Sequence, residues 1–215
     1  MDPQVTVTVV PTSRMRIIAA AREQIESKGI MGLRVQDVAD AAGVSVPLIY
    51  KYFGDRDGLL AQTLGSMYDE FVLKQIDGAR AYFHSLENPT FEAVAVMLAI
   101  PERGDRRNQR WISLQIMAAS VEIPALRAQL GIIQMATTEY LSTFLDEVQM
   151  MLTGKIHASS RPLALLVRSF AYGFTINDVL KENDVEVDND EYITMMKDMF
   201  LHVISPDGPS EITVR

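Results

Sequence analysis

The sequence predicts an all-α protein, with an N-terminal three-helix domain built on a helix-turn-helix ahead of a larger helical domain. Three observations predict it. Val35, Val38, Ala39 and Ala42 recur at i, i+3, i+4 and i+7, and a Gly-containing turn and a second short apolar segment follow at once. Apolar residues keep helical spacing in segment after segment to about Ile204, with Pro and Gly marking the breaks. Only Val5-Thr6-Val7-Thr8-Val9-Val10 alternates as a strand does, and no partner strand follows it.

Residues 1–13 have no helical period and read as a flexible arm. Arms that enter the minor groove of DNA use Arg or Lys, and this one has neither before Arg14. The first helix is expected from about Ser13 to Lys28, with Ile17, Ile18, Ala21 and Ile25 as its buried stripe and Gly29 as its end. Arg14 and Arg16 stand at its start, either as phosphate contacts or as a solvated first turn.

The second helix begins near Arg34. Gly43 sits where a helix end favours a residue able to adopt positive φ. Ser45 suits the N-cap of the next helix, its hydroxyl able to satisfy an amide two or three residues on. Pro47 falls in the first turn, where its missing N–H costs little. In this third helix, Val46 to Tyr52, Ile49 and Phe53 point inward together with Val44 from the turn. Val46, Pro47, Leu48, Tyr50 and Lys51 are then outward. Three apolar residues in a row suit water poorly, but they can pack on thymine methyl groups. Two short helices with such a turn form a helix-turn-helix, whose second helix enters the DNA major groove.

Asp55 and Asp57 flank the start of a long fourth helix. Its first-turn amides are a natural anion site, and Tyr68, Phe71, Val72, Leu73, Ile76, Ala79 and Phe83 carry its period towards Ser85. Pro89-Thr90 opens another helix through Val94, Met97 and Leu98, which Pro101 and Gly104 break. Asp105 to Ser120 follows, with Trp111, Leu114, Gln115, Met117 and Ala118. Pro124 opens a helix to about Leu152, and Gly154 ends it. Pro162 opens the next through Leu166, Val167, Phe170 and Phe174, and the last runs from about Asn189 to Ile204. The expected organisation is an arm at 1–13, a helix-turn-helix domain at 14–60, a helical domain at 61–204 and a tail at 205–215.

A hydrophobic fraction of 48% is ample for a packed core. The chain has no cysteine, which excludes disulfides and thiolate metal sites. No apolar run reaches membrane-spanning length, and Met1-Asp2-Pro3-Gln4 lacks the basic region of a secretory signal. A cytoplasmic protein without a membrane partner is expected. The net charge of −8 argues at first against DNA, but it is unevenly spread. Residues 1–56 carry seven Lys or Arg against six Asp or Glu, leaving −9 on the remainder. An acidic body with a near-neutral, locally cationic head suits a protein that must leave non-specific DNA easily.

Other constellations read more simply. The stretch Glu102 to Arg110 holds Arg103, Arg106, Arg107 and Arg110, but interspersed acids favour a solvated loop and helix start over an anion or second DNA site. Glu182 to Glu191 resembles a calcium loop at a glance. It lacks the glycine of the sharp turn, and Met195 stands where a bidentate Glu belongs, so it reads as an acidic loop at a helix start. His84, His157 and His202 are far apart in sequence and give no metal motif. No nucleophile elbow, phosphate loop or dinucleotide fingerprint occurs, so no catalytic residue and no cofactor is expected.

Ala42-Gly43-Val44-Ser45, Ile49-Tyr50, Tyr52-Phe53, Arg56 and Leu59-Leu60 closely resemble the tetracycline-repressor (TetR) family of transcriptional regulators. The resemblance starts near Arg14 and is specific to about Leu60. The chain departs from the family at Ile25, near which an aromatic residue is usual, at Arg34 in place of a capping Thr, at Leu48 in place of a small hydroxyl residue, and at Arg56 in place of a phosphate-gripping Lys. The resemblance implies that Tyr50 donates its phenol to a phosphate and that Lys51 contacts phosphate or guanine. Arg34, Gln36, Ser45, Val46, Pro47, Leu48, Tyr50, Lys51 and Arg56 form the expected DNA-binding set.

The resemblance also implies an effector site between the middle helices, with Phe71, Met97, Trp111, Gln115, Tyr140, Phe144, Phe170 and Phe174 as candidates. Each of these is also an ordinary core residue. It further implies that the last two long helices of two subunits form a four-helix bundle, with Leu163, Leu166, Val167, Tyr192, Met195, Met196, Met199 and Phe200 at the dimer surface. The function expected is a homodimeric, DNA-binding repressor, released from a palindromic double-stranded operator by a small, hydrophobic molecule. Two other readings stay open. One is a DNA-binding protein of this fold controlled by a protein partner, which a pocket too small for a ligand would favour. The other is a helical enzyme, which a cleft with convergent titratable groups would favour.

Overall fold

The computed structural model describes residues 11–90, 92–94, 105–181 and 189–204. Every extended regular element among them is a helix. They are α1 (Ser13–Lys28), α2 (Val35–Ala42), α3 (Val46–Phe53), α4 (Arg56–His84), α5 (Asp105–Glu122), α6 (Pro124–Thr153), α7 (Ser160–Lys181) and α8 (Asn189–Ile204), with a single 3-10 turn at Ile30–Gly32. Met97, Arg103, the acidic loop at 182–188 and the side chains of Arg106, Arg107, Phe174, Tyr192 and Phe200 lie outside what is described.

The chain divides into two compact units. The first is the part up to Tyr68, joined by Ala118–Gly131. It is larger than a 14–60 domain because α4 stays with it to Tyr68 and a later segment returns to it. In α1 the hydroxyl of Thr12 accepts the Met15 amide at 3.3 Å, and Gly29 closes the helix at φ 76°. The buried stripe is Ile17, Ala20, Ala21, Gln24 and Ile25, and Ile18 is only half-buried. A face repeating at 17, 20/21 and 24/25 leaves residue 18 on its flank.

Gly43 ends α2 in the left-handed region (φ 63°, ψ 44°), its amide donating to the Asp40 carbonyl. Ser45 holds the N-cap position of α3, yet its hydroxyl makes no capping bond, contrary to expectation. The reason is local. A capping side chain reaches the second or third helical amide. The second residue is Pro47, which has no N–H, and the third, Leu48, donates to the Ser45 carbonyl at 3.0 Å. The buried side chains of this unit include Leu33, Val38, Ala39, Ile49, Phe53, Leu59, Leu60, Leu64 and Leu126.

The second unit is Asp69–Met117 with the chain from Ile132 onward. Its core joins Ile76 and Phe83 of α4, Val94, Leu141, Phe144, Leu145 and Val148 of α6, Leu163 and Ala164 of α7, and Met196 and Ile204 of α8. Phe83 and Phe144 meet edge to face at 6.2 Å. A polar strap flanks this core. Glu147 takes Arg80 at 2.5 Å and His84 at 3.1 Å, and the Tyr140 hydroxyl donates to Asp77 at 2.5 Å. Tyr140 first, and Glu147 after it, hold the Arg80 guanidinium above its ordinary pKa.

Candidate nucleic-acid interface

Two buried side chains orient α3. Ile49 and Phe53, 0% and 6% exposed, anchor its inner face. The spacing of a helix then turns Tyr50 and Lys51 outward, and both are exposed, Tyr50 by 43%. Pro47 and Ser45 are also exposed, and Val46 and Leu48 are half-buried. The outward apolar run is therefore narrower than expected, with Pro47 fully on the surface and its neighbours leaning against the unit. Tyr52 is 43% exposed and lies edge-on to Phe53 at 6.2 Å.

The basic residues fall into two groups. Some are tied into the unit. Arg14 donates to the Gln62 side chain and lies 6.0 Å from the Phe53 ring centroid, so it clamps α1 against α3 and α4. Lys28 pairs with Asp37 at 3.0 Å. The Nε of Arg56 donates to the Leu33 carbonyl at 3.4 Å, and its Nη1 lies 3.9 Å from Asp57. Arg56 thus fastens the start of α4 to the turn before α2 while keeping part of its guanidinium outward.

Arg34 and Lys51 are exposed, and neither has an ion-pair partner among the described residues. Arg34 caps the start of α2 with its backbone alone, its amide donating to the side chain of buried Gln24 at 3.4 Å. Gln36, exposed on α2, donates to Asp40 at 3.0 Å. The face made by α3 and the start of α2 therefore carries free cations, a phenol and small apolar groups, which is the mixture that meets phosphates and base edges.

Sequence reading missed Gln24, Gln62 and the structural use of Arg14. A glutamine on an apolar stripe, as Gln24 is beside Ile17, Ala21 and Ile25, is the one signal that was present.

Residues 17–63 match the family model described as "Bacterial regulatory proteins, tetR family". The chain is 36% identical over 73 residues to the HTH-type transcriptional regulator HbdR of Aromatoleum sp. (strain CIB). That match takes in 33% of this chain and 32% of the relative, so it spans about a third of the relative's length. A putative TetR-family transcriptional regulator from Rhodococcus sp. has the same fold at 27% identity and a TM-score of 0.57, with 90% of this chain and 98% of that one covered.

Residues 17–63 thus carry a tetR-family segment, and the chain shares the fold of a solved TetR-family regulator. A further structure, the multidrug binding protein EbrR complexed with proflavin, shares the fold at 21% identity and a TM-score of 0.62, covering 87% of this chain and 99% of that one.

Among the described residues, the candidate ligand residues differ in burial. Phe144 is 1% exposed within the second unit's core, with Tyr140 and Phe170 packed half-buried against it. Phe71 and Trp111 are half-buried, and Gln115 is exposed. The candidate dimer residues also divide. Leu163 and Met196, at 4% and 0%, are buried in the unit's own core, and Leu166, Val167 and Met199 are half-buried against it. These five face inward, wholly or in part, because a helix apolar on more than one side does not reveal which side meets its own core. Among the described residues, the large outward apolar side chains of α7 and α8 are the expected Met195 together with Leu165, Leu201 and Val203.

Proposed function

We propose that this chain is a homodimeric, TetR-like transcriptional repressor that grips a palindromic operator through α3 and is released by a small molecule held in its second unit. The observation that carries the reading is the outward face of α3, where Tyr50 and Lys51 stand exposed over the buried pair Ile49 and Phe53. Lys51 and Arg34 supply charge to phosphates, Tyr50 a phenolic donor, and Pro47 with the exposed edges of Val46 and Leu48 an apolar contact for thymine methyls. Arg56, already fixed at Leu33, meets phosphate with what remains of its guanidinium.

A two-fold dimer sets two α3 helices about 34–36 Å apart, which matches successive major grooves on one side of a duplex. Leu165, Met195, Leu201 and Val203 are the surface that a second subunit covers. Release is a matter of linkage. A molecule that binds better to the DNA-free form weakens operator binding by the same coupling free energy, about 1–3 kcal/mol in typical cases. The apolar, methionine-bearing helices of the second unit suit a ligand with a hydrophobic portion. A protein of this fold that binds drugs, EbrR, supports the idea that such a helical body accommodates small molecules.

Selection of bound sequences from a random duplex pool, repeated with candidate small molecules, tests the reading. A palindromic consensus lost on adding one of them is the expected result. A protein that enriches no sequence under any condition would contradict it.

A further inference from the structure

Two arginines about two turns apart on α7 have opposite circumstances. Arg161 is paired, its Nη2 donating to Glu139 of α6 at 2.7 Å, and that bond raises its pKa. Arg168 has no carboxylate partner among the described residues. Its Nη1 donates to the Thr138 hydroxyl of α6 at 2.8 Å, and its Nη2 is sealed from solvent with no hydrogen-bond partner.

The acceptor side of the same seam is also incomplete. The Oε1 of Gln134 is sealed from solvent and has no hydrogen-bond partner among the described residues. Gln134 precedes Thr138 by four residues, so the two share one face of α6, their Cβ atoms about 5–6 Å apart. An unmet neutral acceptor thus lies one helical turn along α6 from Thr138, the residue that takes the guanidinium with the unmet donor. Buried polar groups in folded proteins are nearly always paired, so each of these two calls for a partner such as water, an ion or a ligand.

We propose that Arg168, with Thr138 and Gln134, holds the carboxylate of a small organic acid. A carboxylate supplies the two acceptor oxygens and the negative charge that a guanidinium fork lacks here. A hydroxyl or amide N–H elsewhere on the same molecule donates to Gln134. The chain's net charge of −8 works against loose anion binding at its surface, so an anion held here is held by these groups. This deepens the ligand-responsive reading above and rests on it. It names the chemical class of the effector: an acid with an apolar body and one further donor.

The test uses the full-length protein and a set of simple acids, acetate, hexanoate, benzoate and 4-hydroxybenzoate, each beside its neutral amide. Thermal midpoints and calorimetric titration are read for wild type, Arg168→Met and Gln134→Leu. At least one acid is expected to bind wild type and raise its midpoint, while its amide does not. Arg168→Met weakens that acid by about tenfold to a hundredfold, the usual loss for a hydrogen bond to a charged group. Gln134→Leu weakens 4-hydroxybenzoate more than benzoate. Should Arg168→Met fail to fold, Arg168→Lys serves, since it keeps the charge and loses the fork.

Two results would overturn the site: no acid of the set binding wild type, or acids binding wild type and both arginine variants alike. Operator binding by the same preparations separates the two levels. If wild type holds its selected duplex and no acid binds, the carboxylate site fails while the repressor reading stands. If no duplex is selected, the repressor reading fails by itself.

Discussion

The carboxylate of Asp55 accepts the amide hydrogen of Gly58 across 2.7 Å, and the Asp55 carbonyl accepts that of Leu59 at 3.1 Å. Together they start α4 directly behind the recognition segment. Asp55→Ala is expected to lower stability by about 1 kcal/mol, as loss of a helix N-cap does, and urea unfolding measures it. Asp55→Ser, which keeps a capping oxygen, should recover most of the loss.

Gly58 is required for a separate reason. A Cβ there would lie 1.9 Å from the Phe53 carbonyl oxygen, a backbone atom with no rotamer to yield. Gly58→Ala should therefore cost about 3 kcal/mol, the upper end of ordinary overpacking penalties, and also displace the end of α3. A variant as stable as wild type would show that the turn between α3 and α4 is looser than described.

Lys51 and Tyr50 should separate by salt. On a selected operator, Lys51→Ala is expected to reduce affinity and to make the salt slope shallower by about 0.9 per subunit, because one phosphate contact is lost. Tyr50→Phe removes a neutral donor and should weaken binding with little change of slope. Fluorescence anisotropy at several salt concentrations gives both numbers.

Gln149, fully buried, holds the turn between α6 and α7. Its amide nitrogen donates to the Ala158 carbonyl and to Ser160 at 3.1 Å each, and its oxygen accepts the amides of His157 at 3.1 Å and Ala158 at 2.9 Å. Gln149→Leu fills the same space and strands those groups. A loss of about 3 kcal/mol is expected, with faster amide exchange at His157 and Ala158.

Local signals in the sequence located the elements well where one residue decides a boundary. Gly43 and Gly29 end helices because their conformations need no Cβ, and Pro47 opens α3 because its ring fits a first turn. Ile49 and Phe53 were legible as inward because α3 has only two large apolar residues on that side. The reading failed where distance in sequence decides. Nothing near Arg14 points to Gln62, 48 residues away, or near Arg168 to Thr138, 30 residues away. Likewise Leu163 and Leu165 are indistinguishable as letters, yet one is core and the other is 67% exposed. Only the packing of α7 against its neighbours separates them.

That difference supplies the dimer test. Leu165→Glu, at an exposed position, should leave the subunit folded and shift sedimentation from dimer to monomer. Leu163→Glu places a charge in the core and should unfold the chain. A Leu165→Glu protein that still sediments as a dimer would remove this residue from the interface.

The most direct measurement is photo-crosslinking from α3 itself. A benzophenone side chain is installed in turn at the positions of Tyr50, Lys51 and, as a control on the second unit, the 71% exposed Met135. Irradiated with the selected duplex, the first two positions should crosslink to DNA and the third should not. DNA captured from Met135 and from neither α3 position would contradict the placement of α3 in the groove.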